Sequence, residues 1–170
     1  MRNRNVTLVT QGAIIASLYV VLTMLANAMG LANFAIQVRF SEALCILPFF
    51  TVAAIPGLAV GCLISNILTG AMIWDVLFGS LATFLGAIGT YFLRKHKLLL
   101  TIPPIISNMV IIPLILRYGY GLAWQYKGTD WSIPYFAVTV GIGEIISVCV
   151  LGSVLMQALL PYKNIIFENK

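Results

Sequence analysis

The stretch "ALCILPFFTVAAIPGLAVGCLISNILTGAM", residues 43–72, is one greasy block without a charge, and how it divides decides the fold. A bilayer crossing needs about 20 apolar residues, so a single tilted helix would absorb the block. Pro56-Gly57 argues against that, because the residue before a proline is pushed out of helical geometry and a glycine follows at once. The block therefore predicts two short spans, 41–54 and 57–72, packed closely and joined by a tight turn.

Outward from this block the chain keeps the same character. It has 170 residues, 61% hydrophobic and 9% charged, with a mean hydropathy of +1.00, whereas soluble domains carry about 25% charged residues. So few charges cannot cover a water-facing surface. The further apolar runs, 8–28, 75–93, 98–117 and 134–160, bring the expected number of spans to six. No span alternates in the manner of a membrane barrel. The expectation is an all-α membrane protein, a single domain over residues 1–170, with six transmembrane helices and no soluble domain, linker or internal repeat.

Orientation follows from basic residues near the span ends. With the N-terminus inside, the cytoplasmic side collects Arg2, Arg4, Arg94, Lys95, Lys97, Lys163 and Lys170, against Arg39, Arg117 and Lys127 outside. Both termini are expected to be cytoplasmic. The net charge of +5 is then a matter of topology and anionic lipid, not a nucleic-acid footprint. Arg2 and Arg4, the apolar run and the small residues "ANA" at 26–28 imitate a secretory signal, but the run is too long for one, and an uncleaved first helix is expected.

Several kinds of chemistry lack their residues. Cys45, Cys62 and Cys149 lie singly in three different spans, with no metal or redox spacing. His96, the one histidine, sits in the basic turn "RKHK". No nucleophile motif or metal-ligand set supports an enzyme, no cofactor is implied, and no phosphate loop is present to hydrolyse ATP.

The polar residues that remain are informative. A charge at the bilayer centre costs roughly 2.5–3.5 kcal/mol on insertion scales, so such residues are candidate functional sites. Arg39, Glu42, Asp75 and Glu144 qualify. Arg39 and Glu42 are three apart and share a helical face if the helix has begun there. They read either as a structural ion pair or as ligand contacts, and Asp75 as a helix-start acid or a ligand contact. Glu144, in "GIGEIISV", has no basic neighbour in its own span and needs a partner or a polar cavity. Asn66 and Asn108 are deep enough to complete a hydrogen-bonding site, or to join helices. Three connections should face outward: 29–40, the turn at Ile73 and Trp74, and 118–133. The stretch "YGYGLAWQYKGTDWSIPY" from Tyr118 supplies rings for an interfacial belt or for stacking on a flat ligand. Small residues at spacing four, Gly12 with Ala16 and Ala13 with Ser17 in "GAIIAS", and Gly57 with Gly61, allow close helix approach. The first set is also a candidate docking face for a membrane partner.

The segments "QVRFSEALCILPFF", "IPGLAVGCLISN", "WDVLFGSLATFLGA" and "YFLRK" resemble the QueT family, the substrate-binding S-components of energy-coupling factor (ECF) transporters assigned to queuosine precursors. The resemblance implies a six-helix S-component in a bacterial plasma membrane that captures its ligand outside and topples while docked on an ECF module. The implied partners are one transmembrane coupling subunit and two cytoplasmic ATPases, with docking through Gly12 and Ala16 or Ala13 and Ser17, where the family pattern has two alanines. The implied ligand is 7-aminomethyl-7-deazaguanine or a related 7-deazaguanine. Glu42, Asp75 and Glu144 would accept its N–H groups and pair its amine, and Trp74 or the aromatic loop would stack on its ring. Three other readings stand beside this one, the third a membrane scaffold or assembly factor with no ligand at all. An S-component for queuine, thiamine or riboflavin has the same architecture, and a stand-alone proton-coupled transporter would use Glu144 as its proton carrier.

Overall fold

The computed structural model describes residues 4–31 and 38–167. Arg2 and Lys170, used above for orientation, and residues 32–37 of the connection 29–40 lie outside the described residues. Regular structure among the described residues is helical except for one two-stranded ribbon.

Four helices are long and apolar enough to cross a bilayer: α1 (Arg4–Ala28), α3 (Asp75–Phe92), α4 (Lys97–Gly119) and α5 (Ser132–Ile166). These agree with the sequence-based spans to within a few residues, save that α5 runs six residues beyond 160. The block at 43–72 does divide in two. Its first part is a 3₁₀ helix, Phe40–Phe49, and its second is α2, Ala54–Leu68. The division falls at Phe50–Ala53, before Pro56-Gly57. Pro56 is the third residue of α2, a first-turn position whose N–H would have no intrahelical partner, so the proline begins the helix there. Neither piece alone matches the roughly 30 Å of a bilayer core: ten residues at about 2.0 Å rise in the 3₁₀ helix and fifteen at 1.5 Å in α2 each give roughly 20 Å.

The 3₁₀ helix is the buried spine of the molecule. Every residue from Ser41 to Pro48 is buried, and Leu44, Cys45, Ile46 and Leu47 join Ile15 and Tyr19 of α1, Leu58 and Cys62 of α2, Ala87 of α3 and Val148 of α5 in one core. α5 closes on it through Gly152, where an added Cβ would lie 3.1 Å from Ile46. The tighter winding carries ten residues about a third further than an α-helix would. A short segment thereby reaches deep among four longer ones.

Small residues set the approach of α1 to α2. A Cβ on Gly57 would come 2.7 Å from the Gly12 carbonyl oxygen, and one on Gly61 would come 3.1 Å from the Ala16 Cα. The spacing-four sets read from the sequence thus face each other, Gly12–Ala16 against Gly57–Gly61. Similarly, α3 meets the proline-led start of α4, with the Cβ position of Gly86 2.8 Å from the Pro104 Cα.

Between α4 and α5 the chain forms a hairpin, strand β1 (Gln125–Tyr126) pairing antiparallel with β2 (Thr129–Asp130). Its two-residue turn, Lys127-Gly128, takes positive φ at both positions, as a type I′ turn requires. Asp130 clasps the hairpin to both helices: Oδ2 receives Arg117 Nε at 2.8 Å, and Oδ1 receives the Ser132 amide at 2.9 Å and the Ser132 hydroxyl. The Ser132 bonds, joined by Arg117, hold this carboxyl below the usual carboxylate range. Its contribution is therefore present above that range and lost only as pH falls through the lowered value, so the clasp is intact at neutral pH. The rings of this loop stack on one another, Trp124 lying 4.8 Å from Tyr135 and 6.1 Å from Tyr126.

The backbone contact of Gly57 with Gly12 has no flexible side chain to give way. Gly57→Ala is expected to force α1 and α2 apart at a cost of about 1–3 kcal/mol, read as a lowered midpoint of thermal unfolding in detergent.

Candidate functional site

The four charges singled out in the spans come together. Arg39 stands at the head of the 3₁₀ helix, with its guanidinium 3.9 Å from Asp75 Oδ2 at the start of α3. Glu42 lies one turn further into the 3₁₀ helix and is 1% exposed. Glu144, on α5, is close enough to feel the charges of both Glu42 and Arg39. Three carboxyl groups and one guanidinium thus share a single neighbourhood.

Their partners are unequal. Both Glu42 oxygens are engaged, Oε1 by the Tyr19 hydroxyl of α1 and Oε2 by the Cys45 thiol at 3.0 Å. Asp75 Oδ2 accepts from the Tyr120 hydroxyl at 3.3 Å, and that oxygen in turn accepts the Met72 amide at 3.1 Å. Asn66 of α2 donates to the Asp75 backbone carbonyl at 3.1 Å. Asn108 of α4 donates to Glu144 Oε1 at 2.8 Å. Among the described residues, three buried side-chain oxygens have no hydrogen-bond partner: Asp75 Oδ1, Glu144 Oε2 and Ser147 Oγ. Each such orphan costs about 1–3 kcal/mol of desolvation.

The backbone is irregular at the same places. Asp75 opens a π-helical turn (Asp75–Gly79), Glu144 immediately precedes another (Ile145–Leu151), and Tyr120 follows a third (Ile115–Gly119), itself just beyond Pro113. Widened turns of this kind are frequent at functional sites. Gly79 keeps the space beside Asp75 open, since a Cβ there would lie 2.8 Å from Asp75 Oδ1 and 3.2 Å from Asn66 Nδ2.

Of the residues expected from the sequence, Arg39, Glu42, Asn66, Asp75, Asn108 and Glu144 are brought together. Trp74 is not. It is 51% exposed, stacks on Phe78 with ring centroids 6.0 Å apart, and lines an apolar groove of about 520 Å³ between α3 and α4 with Leu81, Ile111, Leu114 and Tyr118. Tyr19, Tyr120 and Ser147 were missed. Tyr19 carried a signal, because a buried tyrosine hydroxyl in an apolar helix needs a partner. Ser147 carried none, because serines in membrane helices usually bond back to their own helix.

The second expected set, Gly12, Ala13, Ala16 and Ser17, is divided. Ala16 is buried against α2 and Gly12 partly so, whereas Ala13 and Ser17 are exposed. Beside them runs an apolar groove of about 510 Å³ between α1 and α2, lined by Gly12, Ala13 and Ala16 with Ala53, Pro56 and Val60.

Residues 9–161 match the family described as QueT transporter. The chain belongs to the QueT transporter family. A segment of 71 residues is 41% identical to "Queuosine precursor transporter QueT" of Lactococcus lactis subsp. cremoris (strain MG1363), covering 42% of this chain and 41% of that protein, so the matched part is less than half of the relative's length. No solved structure matches. The four long apolar helices are those of a multi-pass membrane protein, in keeping with a family of transporters rather than enzymes.

Tyr19→Phe tests whether the site is held from α1. Removing the hydroxyl leaves Glu42 Oε1 buried without its donor, and a loss of about 1–3 kcal/mol is expected, measured as a lower unfolding midpoint than wild type in the same detergent.

Proposed function

We propose that this chain is the substrate-capturing S-component of an ECF-type importer for a queuosine precursor, a 7-deazaguanine. The observation that carries the reading is the set of unpartnered buried oxygens, Asp75 Oδ1, Glu144 Oε2 and Ser147 Oγ, in a neighbourhood of three carboxyl groups. A deazaguanine is flat and presents ring and exocyclic N–H donors along one edge, which carboxylates accept in strong charge-assisted bonds. Family membership and the name of the Lactococcus relative point to the same class of ligand. A site left with unpaired acceptors rejects analogues that lack the matching donors far more strongly than a greasy pocket rejects a missing methylene.

In this reading the whole chain is one domain in a bacterial plasma membrane. The 3₁₀ helix and α2, each too short alone, complete six crossings by virtue of their burial among the longer helices, and both termini are cytoplasmic. Arg39, Asp75 and Tyr120 then stand at the outer end of the site, and Glu42 and Glu144 line its depth. Arg39 and Glu42 therefore have separate roles: Arg39 braces Asp75, while Glu42 is tied to α1 by Tyr19.

A phosphate loop is absent from the sequence, so the energy is supplied by partners, a transmembrane coupling subunit and two cytoplasmic ATPases. Ala13 and Ser17, exposed beside the groove between α1 and α2, are the face on which the coupling subunit would seat. Gly12 and Ala16 serve mainly to bring α2 close.

Calorimetric titration of the purified chain with 7-aminomethyl-7-deazaguanine tests the ligand. Saturable one-to-one binding is expected. Asp75→Asn, which replaces a charged acceptor in the site, should weaken it by roughly 10- to 100-fold, the worth of one charge-assisted hydrogen bond. Unchanged affinity in Asp75→Asn would remove Asp75 from the site, and no binding by wild type would overturn the ligand.

A further inference from the structure

The two ends of the 3₁₀ helix are closed differently. Arg39 and Asp75 stand at its head. At its foot, Phe49 and Phe50 run into the break before α2, and the cover there comes from the last turns of α5. Regular winding of α5 stops at Leu159; a 3₁₀ turn containing Pro161 follows (Leu160–Tyr162), then a single helical turn, Lys163–Ile166. These turns bring the Phe167 ring onto Phe50, with centroids 5.0 Å apart and planes 23° apart, and the Lys163 ammonium to 5.3 Å from the Phe49 ring. Gln11 of α1 ties the pieces together. Its Nε2 donates to the Ile166 carbonyl at 3.1 Å, and its Oε1 accepts the Thr51 hydroxyl at 2.8 Å. Thr51 Oγ1 in turn accepts the Ala53 amide at 3.3 Å. One buried glutamine thus spans the end of α5, the break and the start of α2.

Cover and seat contrast in burial. Residues 161–166 are all exposed, whereas Phe50 and Thr51 are 8% and 3% exposed. A segment with few buried groups, fastened by a neutral hydrogen bond and a ring stack, opens at lower free energy than the core it covers. The seat, in contrast, belongs to a strained element. Runs of 3₁₀ winding beyond three or four residues are uncommon because their hydrogen bonds are poorly aligned, so the ten residues Phe40–Phe49 depend on being held at both ends. We propose that residues 160–167 form a latch on the foot of the 3₁₀ helix. Seated, the latch keeps that helix in the tightly wound form that places Glu42 in the site; lifted, it lets the helix relax and the captured ligand leave. The release half of this inference rests on the deazaguanine reading above, and the latch itself does not.

The test follows two variants of the full chain in lipid nanodiscs at neutral pH: Phe167→Ala, which removes the ring stacked on Phe50, and Gln11→Leu, which removes both side-chain bonds. Phe167→Ala keeps the test open if the buried Gln11 variant fails to fold. Amide hydrogen exchange is read first and needs no ligand. Each variant is expected to speed exchange at 163–167 and along the 3₁₀ helix, 42–50, by roughly 3- to 10-fold, the worth of one neutral hydrogen bond or ring pair, while 80–92 of α3 exchange as in wild type. Faster exchange confined to 163–167, no change in either segment, or one common acceleration over the whole chain would overturn the latch. Dissociation of 7-aminomethyl-7-deazaguanine is read second. It is expected to be roughly 3- to 10-fold faster from both variants, with association within about twofold of wild type. Unchanged dissociation beside a loosened 3₁₀ helix would overturn the role in release. If wild type binds no deazaguanine, the ligand reading falls, and hydrogen exchange alone then upholds or overturns the latch.

Discussion

Four charged side chains inside an apolar bundle are the constraint from which the rest of this structure follows. Arg39, Glu42, Asp75 and Glu144 come from three separate segments, and none can be left alone in a medium where a lone charge is so costly. Glu42 is satisfied by a tyrosine from α1 and a thiol from its own helix, whereas Asp75, held by Arg39 and Tyr120, and Glu144, held by an asparagine from α4, each keep one oxygen without a partner. Every long helix therefore contributes to holding the cluster, α1 through Tyr19, α3 through Asp75, α4 through Asn108 and α5 through Glu144. The 3₁₀ helix reaches the middle of the bundle because its winding carries few residues a long way. The π-helical turns lie next to Asp75, Glu144 and Tyr120, where regular winding is given up beside polar groups that face inward.

The surrounding packing has the opposite chemistry. Where α1 meets α2, and where α3 meets α4, contact is made by glycine, alanine and proline at backbone distance. In a bilayer such close approach supplies the dispersion and packing that the hydrophobic effect cannot supply between helices already in lipid. One small-residue stripe on α1 thereby has two edges. Gly12 and Ala16 are spent on α2, while Ala13 and Ser17 remain on the surface beside an apolar groove.

Much of this was legible in the sequence, for physical reasons that also explain what was not. The long helices were readable because twenty apolar residues have few other fates. The block at 43–72 was readable as two segments but not at its true boundary, because a proline breaks a helix interior yet starts a helix equally well, and Pro56 does the latter. Neither the 3₁₀ winding nor the π-helical turns left a mark in the pattern, since both depend on tertiary fit. The site's charges announced themselves by their cost, and the asparagines by their depth. Tyr120 and Ser147 did not, because neutral hydroxyls are common in membrane helices and only the fold says which of them turn toward the cluster. Trp74 shows the converse: its neighbour Asp75 belongs to the cluster, while the ring itself lies in a groove with Phe78.

On this reading a captured ligand completes the unpartnered oxygens of Asp75, Glu144 and Ser147. The most direct measurement is native mass spectrometry of the chain purified from membranes of cells grown with excess 7-aminomethyl-7-deazaguanine, with the released small molecule identified after denaturation. One deazaguanine per chain is expected, lost from a chain carrying both Asp75→Asn and Glu144→Gln. A different metabolite recovered at one per chain, or a chain that emerges empty under that excess, would contradict it.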